Sequence, residues 1–216
     1  MSFDHKTLPT RERIAHMGYR AFVGGDDAEM WFGIGLLQFQ FLVANGLRPN
    51  HIFIDIACGP LRLGQLLIPF LNEGNYFGLE AEEELVRLGL ANELKFGLVK
   101  SKSPVFGFGY DFDFSFAKPF DYAIAQSLFT HLVPYDIKKC LVNLRTKAKP
   151  NSKFFFTFFE GDSAANPQSL SHANRNWKYS QDELHTFAEG TGWALNYIGD
   201  WHHPRKQKLV CAEPIF

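Results

Sequence analysis

The stretch from Ile52 to Glu80, IFIDIACGPLRLGQLLIPFLNEGNYFGLE, constrains the chain more than any other. Ile52, Phe53, Ile54 and Ile56 make a short β-rich apolar run of the kind that a parallel sheet covers on both faces. Asp55 interrupts the run and is expected to face the turn that follows. Cys58-Gly59-Pro60 bends the backbone: Gly59 admits a backbone angle or a close approach closed to other residues, and Pro60 suits the first turn of a helix. Leu63, Leu66, Leu67, Phe70 and Leu71 recur behind it at helical spacing, with Pro69 ending or kinking that helix. A second strand, Asn75 to Leu79, delivers Glu80 at its carboxyl end.

A buried strand, a glycine turn, a helix and a second strand ending on an acid form half of a nucleotide-binding crevice. Ligands of open parallel sheets lie beyond the carboxyl ends of the strands, where an acid about 20 residues past the glycine turn can take ribose hydroxyls. A dinucleotide fingerprint requires three spaced glycines so that backbone can approach a pyrophosphate. Counted from Gly59, the second falls on Leu61; counted from Ala57, the third falls on Arg62. Neither frame supports a pyrophosphate ligand, which argues against a nicotinamide oxidoreductase.

IDIACGPLRLG resembles the first motif of the class I S-adenosylmethionine-dependent methyltransferases, with Asp55, Ala57 and Gly59 on the pattern D-x-G-x-G and alanine replacing the first glycine. Glu80 at the end of the second strand, FDYAIAQSLFTHL (Phe120 to Leu132) at the fourth-strand position, and the closing GDWHHPRKQKLVCAE extend the resemblance over most of the chain. It implies an α/β fold: a Rossmann-like, seven-stranded, mostly parallel sheet with an antiparallel last strand and helices on both faces. It also implies S-adenosyl-L-methionine as cofactor and an N-terminal helical cap (residues 1–50) on a methyltransferase-like domain (51–216). Backbone at Ala57, Cys58, Gly59 and Pro60 would line the methionine part, with Asp55 orienting the turn or meeting the amino group through water. Glu80 would take the ribose hydroxyls. Arg62, placed just inside the helix, would pair with the cofactor carboxylate or serve as a surface arginine. Asp111 or Asp113 would accept from the adenine amino group or close a solvated turn, and Gln126 and Ser127 lie at the end of the fourth strand. Tyr19 and Trp31 are lid candidates with packing on the sheet as the alternative.

Methyl transfer from a sulfonium is an in-line displacement, so positioning supplies much of the rate and a base is needed only where the acceptor loses a proton. His131, just after the fourth strand, is the base candidate; Glu160, His202 and His203 are further candidates on the acceptor side. The acceptor itself is not legible, and a small molecule is expected. A cofactor-binding module without turnover remains the alternative to an enzyme.

Composition narrows the rest. The chain of 216 residues suits one domain with a sizeable core. Its 23 phenylalanines point to a Phe-packed interior, with an aromatic pocket around a sulfonium cation as the alternative for some of them, and a net charge of −1 gives no general nucleic-acid footprint. Cys58, Cys140 and Cys211 show no metal spacing and suggest a reducing, cytoplasmic setting; no apolar run is long enough to span a bilayer. Elsewhere the pattern predicts a cap helix with Phe32, Leu36, Phe39 and Val43 on one face, a helix over Ala81 to Lys95, a third strand at Pro104 to Phe108 and a crossover too short for a full helix. It then predicts strands at Phe120 to Ala125 and Lys153 to Phe159 and a polar loop from Glu160 to Tyr179. A capping box at Ser180 and Glu183 follows, before two last strands, Leu195 to Ile198 and Lys208 to Ala212.

Overall fold

The computed structural model describes residues 9–167, 170–172 and 175–216. The chain opens with α1 (Thr10–Met17), α2 (Tyr19–Phe22), a π-helical turn (Glu29–Gly33) and α3 (Ile34–Ala44). The α/β body follows: β1 (Phe53–Ile56), α4 (Gly64–Phe70), β2 (Tyr76–Glu80), α5 (Glu83–Asn92), α6 (Leu98–Lys102), β3 (Val105–Phe108) and β4 (Phe120–Ala125). The remainder comprises α7 (Pro134–Arg145), β5 (Ala148–Glu160), β6 (Lys178–Tyr179), α8 (Gln181–Ala188), β7 (Trp193–Asp200) and β8 (Lys208–Pro214).

The strands lie in the order β3-β2-β1-β4-β5-β8-β7, with the two-residue β6 beside the end of β5. Every pairing from β3 to β5 is parallel, whereas β8 runs antiparallel to both β5 and β7. The chain leaves β1 toward β2 on one side and later returns to β4 on the other. The carboxyl ends of β1 and β4 therefore flank the point where the winding reverses, the place such sheets reserve for ligands. As expected, no helix bridges Phe108 and Phe120.

Both faces of the sheet are buried. One core holds Phe129, Phe154, Phe156, Phe158, Trp177 and Trp193 against α7 and α8; the other packs Leu61, Leu67, Phe155, Trp201 and Leu209 against α3 and α4. The KFFFTFF run is thus a central strand whose phenylalanines alternate between the two cores. Ser180 and Glu183 form the expected reciprocal cap at the start of α8.

Three details differ from the sequence reading. The helix after the glycine turn begins at Gly64, not Pro60, because Leu61 takes a left-handed φ of 66° and delays regular pairing. The cap helix buries Ile34, Gly35, Gln38 and Leu42, while Phe32 and Leu36 stay about half exposed. The π-helical turn ahead of α3 resets the helical register, which a 3.6-residue count from Phe32 misses. The loop expected from Glu160 contains a short 3₁₀ turn and β6; residues 168, 169, 173 and 174 of it lie outside the described residues.

Candidate active site

The centre of the site is the bend after β1. Ala57, Gly59 and Leu61 all have left-handed φ, at 58°, 52° and 66°. The bend is clamped from two sides. A Cβ on Gly78 of β2 would stand 2.9 Å from the Cys58 sulfur, and one on Gly89 of α5 would stand 2.6 Å from the Pro60 carbonyl. Glycine at those two positions lets strand and helix close on the turn. Ala57, by contrast, carries a side chain in a conformation that costs an L-residue roughly 1–2 kcal/mol. Ala57→Gly is therefore expected to raise the unfolding free energy by about 0.5–1 kcal/mol, strain relief exceeding the added chain entropy. Denaturant unfolding measures this, and a loss of stability would show that the bend is relaxed at Ala57.

Glu80 reaches back to this bend. Its Oε2 accepts the Gly59 N–H at 2.8 Å, and its Oε1 accepts the N–H groups of Ala81 and Glu82 at 2.9 and 3.1 Å. Burial raises its pKa in spite of these three bonds. Asp55 is also buried, at 5% exposure. It does not bond the turn as expected: its Oδ2 accepts the Tyr76 hydroxyl at 2.8 Å. Burial, with Glu80 adding to it against the opposing Tyr76 bond, pushes the Asp55 carboxyl up to about 7.

The cap closes over the bend. A Cβ on Gly59 would meet only the Val23 side chain, at 3.8 Å. Arg62 lies ahead of α4 rather than inside it, and its Nη2 donates to the Val23 carbonyl at 2.8 Å. Its guanidinium stands 5.2 Å from the Trp31 ring, and that of Arg20 stands 5.0 Å from the same ring. Trp31 is 1% exposed. Arg62 Nε and Trp31 Nε1 are buried donors without a partner. Burial, and next the charge of Arg205, lowers the Arg62 pKa to about 10, with Asp26 acting in the opposite direction. Tyr19 sits edge-on to Trp31 and donates to Glu93, which also receives a two-pronged bond from Arg20 at 2.7 and 2.8 Å. Both lid candidates therefore pack within the cap and against the end of α5.

At the end of β4, Gln126 and Ser127 join a buried polar network. Ser127, with φ of 60°, gives its N–H to Thr157 Oγ1 at 2.7 Å and receives Gln207 Nε2 at 2.6 Å; Thr157 donates to Gln207 Oε1 at 2.8 Å. Gln126 meets Gln38, Gln207 and His203. The Arg205 N–H donates to His203 Nδ1 at 3.2 Å, and the Gln126 amide nitrogen lies 3.0 Å from His203 Nε2. Burial, then Arg205 and Arg62, lowers the His203 pKa to about 4. His203 is therefore a neutral member of the network near pH 7 and a weaker base than an ordinary imidazole.

The remaining candidates are placed as follows. His131 Nδ1 lies 2.6 Å from the Arg175 carbonyl, which puts the proton on Nδ1 and leaves Nε2 as the basic atom; burial lowers its pKa. His202 is an exposed turn residue with φ of 64° whose N–H donates to Asp200. Glu160 is drawn away from the bend, accepting from Gln181 and Tyr197 beside the start of α8. Asp113 closes a turn on Ser115, the solvated alternative foreseen for it, and Asp111 pairs with Lys139 of α7 at 2.5 Å with its side chain 86% exposed. Sequence reading missed Gln38 and Thr157, polar residues on apolar elements, Gln207 on the connection ahead of β8, and Tyr110, which donates to Glu82 beside the Glu80 strand end.

No protein-family model matches the sequence. Solved structures do. Magnesium protoporphyrin IX methyltransferase (ChlM) from Synechocystis PCC 6803, with bound SAH, superposes with a TM-score of 0.64 at 14% identity, covering 91% of this chain and 92% of that one. A S-adenosylmethionine-dependent methyltransferase from Clostridium acetobutylicum ATCC 824 gives 0.63 at 10% identity over 96% and 100% of the two chains. The glycopeptide N-methyltransferase MtfA complexed with (S)-adenosyl-L-homocysteine gives 0.63 at 14% over 84% and 90%. With the strand order and the crevice at its winding switch, these likenesses establish that the chain has the class I S-adenosylmethionine-dependent methyltransferase fold.

Proposed function

We propose that the protein is an S-adenosyl-L-methionine-dependent methyltransferase acting on a small-molecule acceptor. The observation that carries this reading is the Glu80 carboxylate held 2.8 Å from the Gly59 N–H, where the sheet reverses its winding. The residues present fit the cofactor. Gly59 offers backbone with no side chain in the way, Glu80 offers acceptors for ribose hydroxyls, and Arg62 Nε with Trp31 Nε1 are buried donors suited to the aminoacyl carboxylate. When bound, the cofactor supplies an electrophilic methyl group. The chain's own part is to hold and enclose the reactants: Val23, Arg62 and Trp31 roof the bend and keep water out, and the network at Gln126 and Ser127 fixes the floor beside β4. His131 Nε2 is the atom to take a proton where the acceptor releases one. A small acceptor fits a chain of net charge −1. No helix among the described residues is long and apolar enough to cross a membrane. The three buried free cysteines suit a reducing, cytoplasmic setting.

One observation favours a second reading, a module that binds the cofactor without turnover: His203 is buried against Gln126 with the Arg205 N–H on its Nδ1, and His131 is tied to a backbone carbonyl. Calorimetric titration with S-adenosylhomocysteine and with NADH tests the cofactor, and the former alone is expected to bind. Binding of NADH alone would reverse the assignment, in spite of Leu61 and Arg62 standing where a dinucleotide site needs glycine. A labelled-methyl screen over small molecules then separates the enzyme from the binding module.

A further inference from the structure

Two guanidinium groups converge on the roof of the crevice. Arg62 Nη2 donates to the carbonyl of Val23, and Arg205 Nη2 donates at 2.7 Å to the carbonyl of the next residue, Gly24. The contact is close: a Cβ on Gly24 would stand 2.5 and 2.6 Å from the two terminal nitrogens of Arg205. Among the described residues neither arginine is in a salt bridge. Arg62 is half-buried, whereas Arg205 is exposed on the β7–β8 connection. Carbonyl oxygens satisfy individual N–H groups but bring no full negative charge against either guanidinium.

Neighbouring groups register that charge. Burial comes first in lowering the pKa of His131, His203 and Arg62, and Arg205 adds to it in all three. The charge of Arg205 is thus felt on the bend after β1, the segment after β4 and the last connection, while its guanidinium touches Gly24 ahead of the π-helical turn. Asp26 is the one acid that opposes this at Arg62. The concentration of cations is local, since the whole chain carries a net charge of −1. A crevice lined by one sign of charge concentrates ligands of the other.

Resting on the methyltransferase reading above, we infer that the acceptor is an acidic small molecule, recognised through a carboxylate or phosphate group by Arg205 at the crevice mouth, with Arg62 behind it. Arginine suits this task because its planar fork bonds both oxygens of such a group. Arg205 is a binding residue here, and its bond to Gly24 holds its fork beside Val23, whose side chain stands over Gly59.

The test uses protein loaded with S-adenosylhomocysteine and titrated calorimetrically with benzoate and with inorganic phosphate, benzamide serving as the neutral control. Benzoate or phosphate is expected to bind and benzamide to fail; which anion binds tighter separates a carboxylate from a phosphate acceptor. Arg205→Gln should weaken the anion at least about tenfold, the scale of one lost charge-assisted hydrogen bond. Arg205→Lys, which keeps the charge but not the fork, should fall between the two. Affinity for S-adenosylhomocysteine should stay within about twofold in both variants, well under a 1 kcal/mol change. Cofactor binding without anion binding in the wild-type protein overturns this inference alone. So does an unaltered anion affinity in Arg205→Gln, or a loss of cofactor affinity there, which would make Arg205 only a clasp for the cap. Failure of the wild-type protein to bind S-adenosylhomocysteine overturns the methyltransferase reading and the acceptor class with it.

Discussion

Replacing Glu80 with alanine is expected to lower the unfolding free energy by about 2–4 kcal/mol, more than a typical substitution, and to abolish measurable cofactor binding. The reason lies in what the carboxylate already holds. Three backbone N–H groups, those of Gly59, Ala81 and Glu82, end on its two oxygens, and the residue is 8% exposed. Removing it strands buried donors at the bend and at the entrance to α5, where water has poor access. Part of the loss is returned because the variant no longer buries a carboxylate whose charge is penalised, which keeps the estimate below the sum of three charge-assisted bonds. Glu80→Gln separates fold from function. It keeps one oxygen, enough for the Ala81 and Glu82 pair, but presents an NH₂ group to Gly59. Its stability should lie between wild type and alanine, while cofactor affinity, which needs acceptors on the bend side, falls by about 1–3 kcal/mol. Denaturant unfolding and calorimetry on both variants decide the matter. An alanine variant as stable as wild type would mean that the three N–H groups find other partners, and that Glu80 does not hold the bend.

Much of this arrangement was legible because local rules and the global fold agree. IFIDI and KFFFTFF read as strands covered on both faces, and each lies between two neighbours in the sheet. The spacing from Gly59 to Glu80 placed an acid beside the turn, and the structure joins the two directly. What was not legible depends on long-range geometry. The partner of Asp55 is Tyr76, one strand over, and their bond follows from a β1–β2 register that pairs Asp55 with Gly78. The left-handed Leu61 delays α4, although leucine carries no signal for such a conformation. Gln38 sits on the buried face of α3 because it meets Gln126, 88 residues away; a hydrophobic count assigns that face to Phe32 and Leu36 instead. The meeting of Arg62 and Arg205 on consecutive carbonyls needs the cap, the bend and the last connection to be assembled before it exists.

Asp55→Asn should make the protein more stable at pH 8 while leaving it nearly unchanged at pH 4. Asp55 is buried beside a second carboxylate, and its pKa stands at about 7 in the folded chain against an ordinary value of 3.8. Below the ordinary value both folded and unfolded chains carry the proton, and the group is neutral in its effect. Between 3.8 and about 7 the folded chain binds the proton and the unfolded chain does not, so stability falls as pH rises across this window. Above it the loss is complete, amounting to about 4 kcal/mol for a shift of this size. Asparagine does not titrate, and its side-chain oxygen can still accept the Tyr76 hydroxyl, so the variant escapes the loss. At about 2–4 °C per kcal/mol for a chain of this length, the melting temperature of the variant should exceed wild type by roughly 8–16 °C at pH 8. Glu80, also raised by burial, tilts the pH profile in the same direction, and because its charge raises Asp55 the difference between the two proteins reports Asp55 together with its coupling to Glu80. An equal offset at pH 4 and pH 8 would refute the assignment. The stability forgone at neutral pH follows from keeping two acids out of water at the carboxyl ends of β1 and β2, where Glu80 gives its oxygens to backbone N–H groups and Asp55, among the described residues, accepts only the Tyr76 hydroxyl.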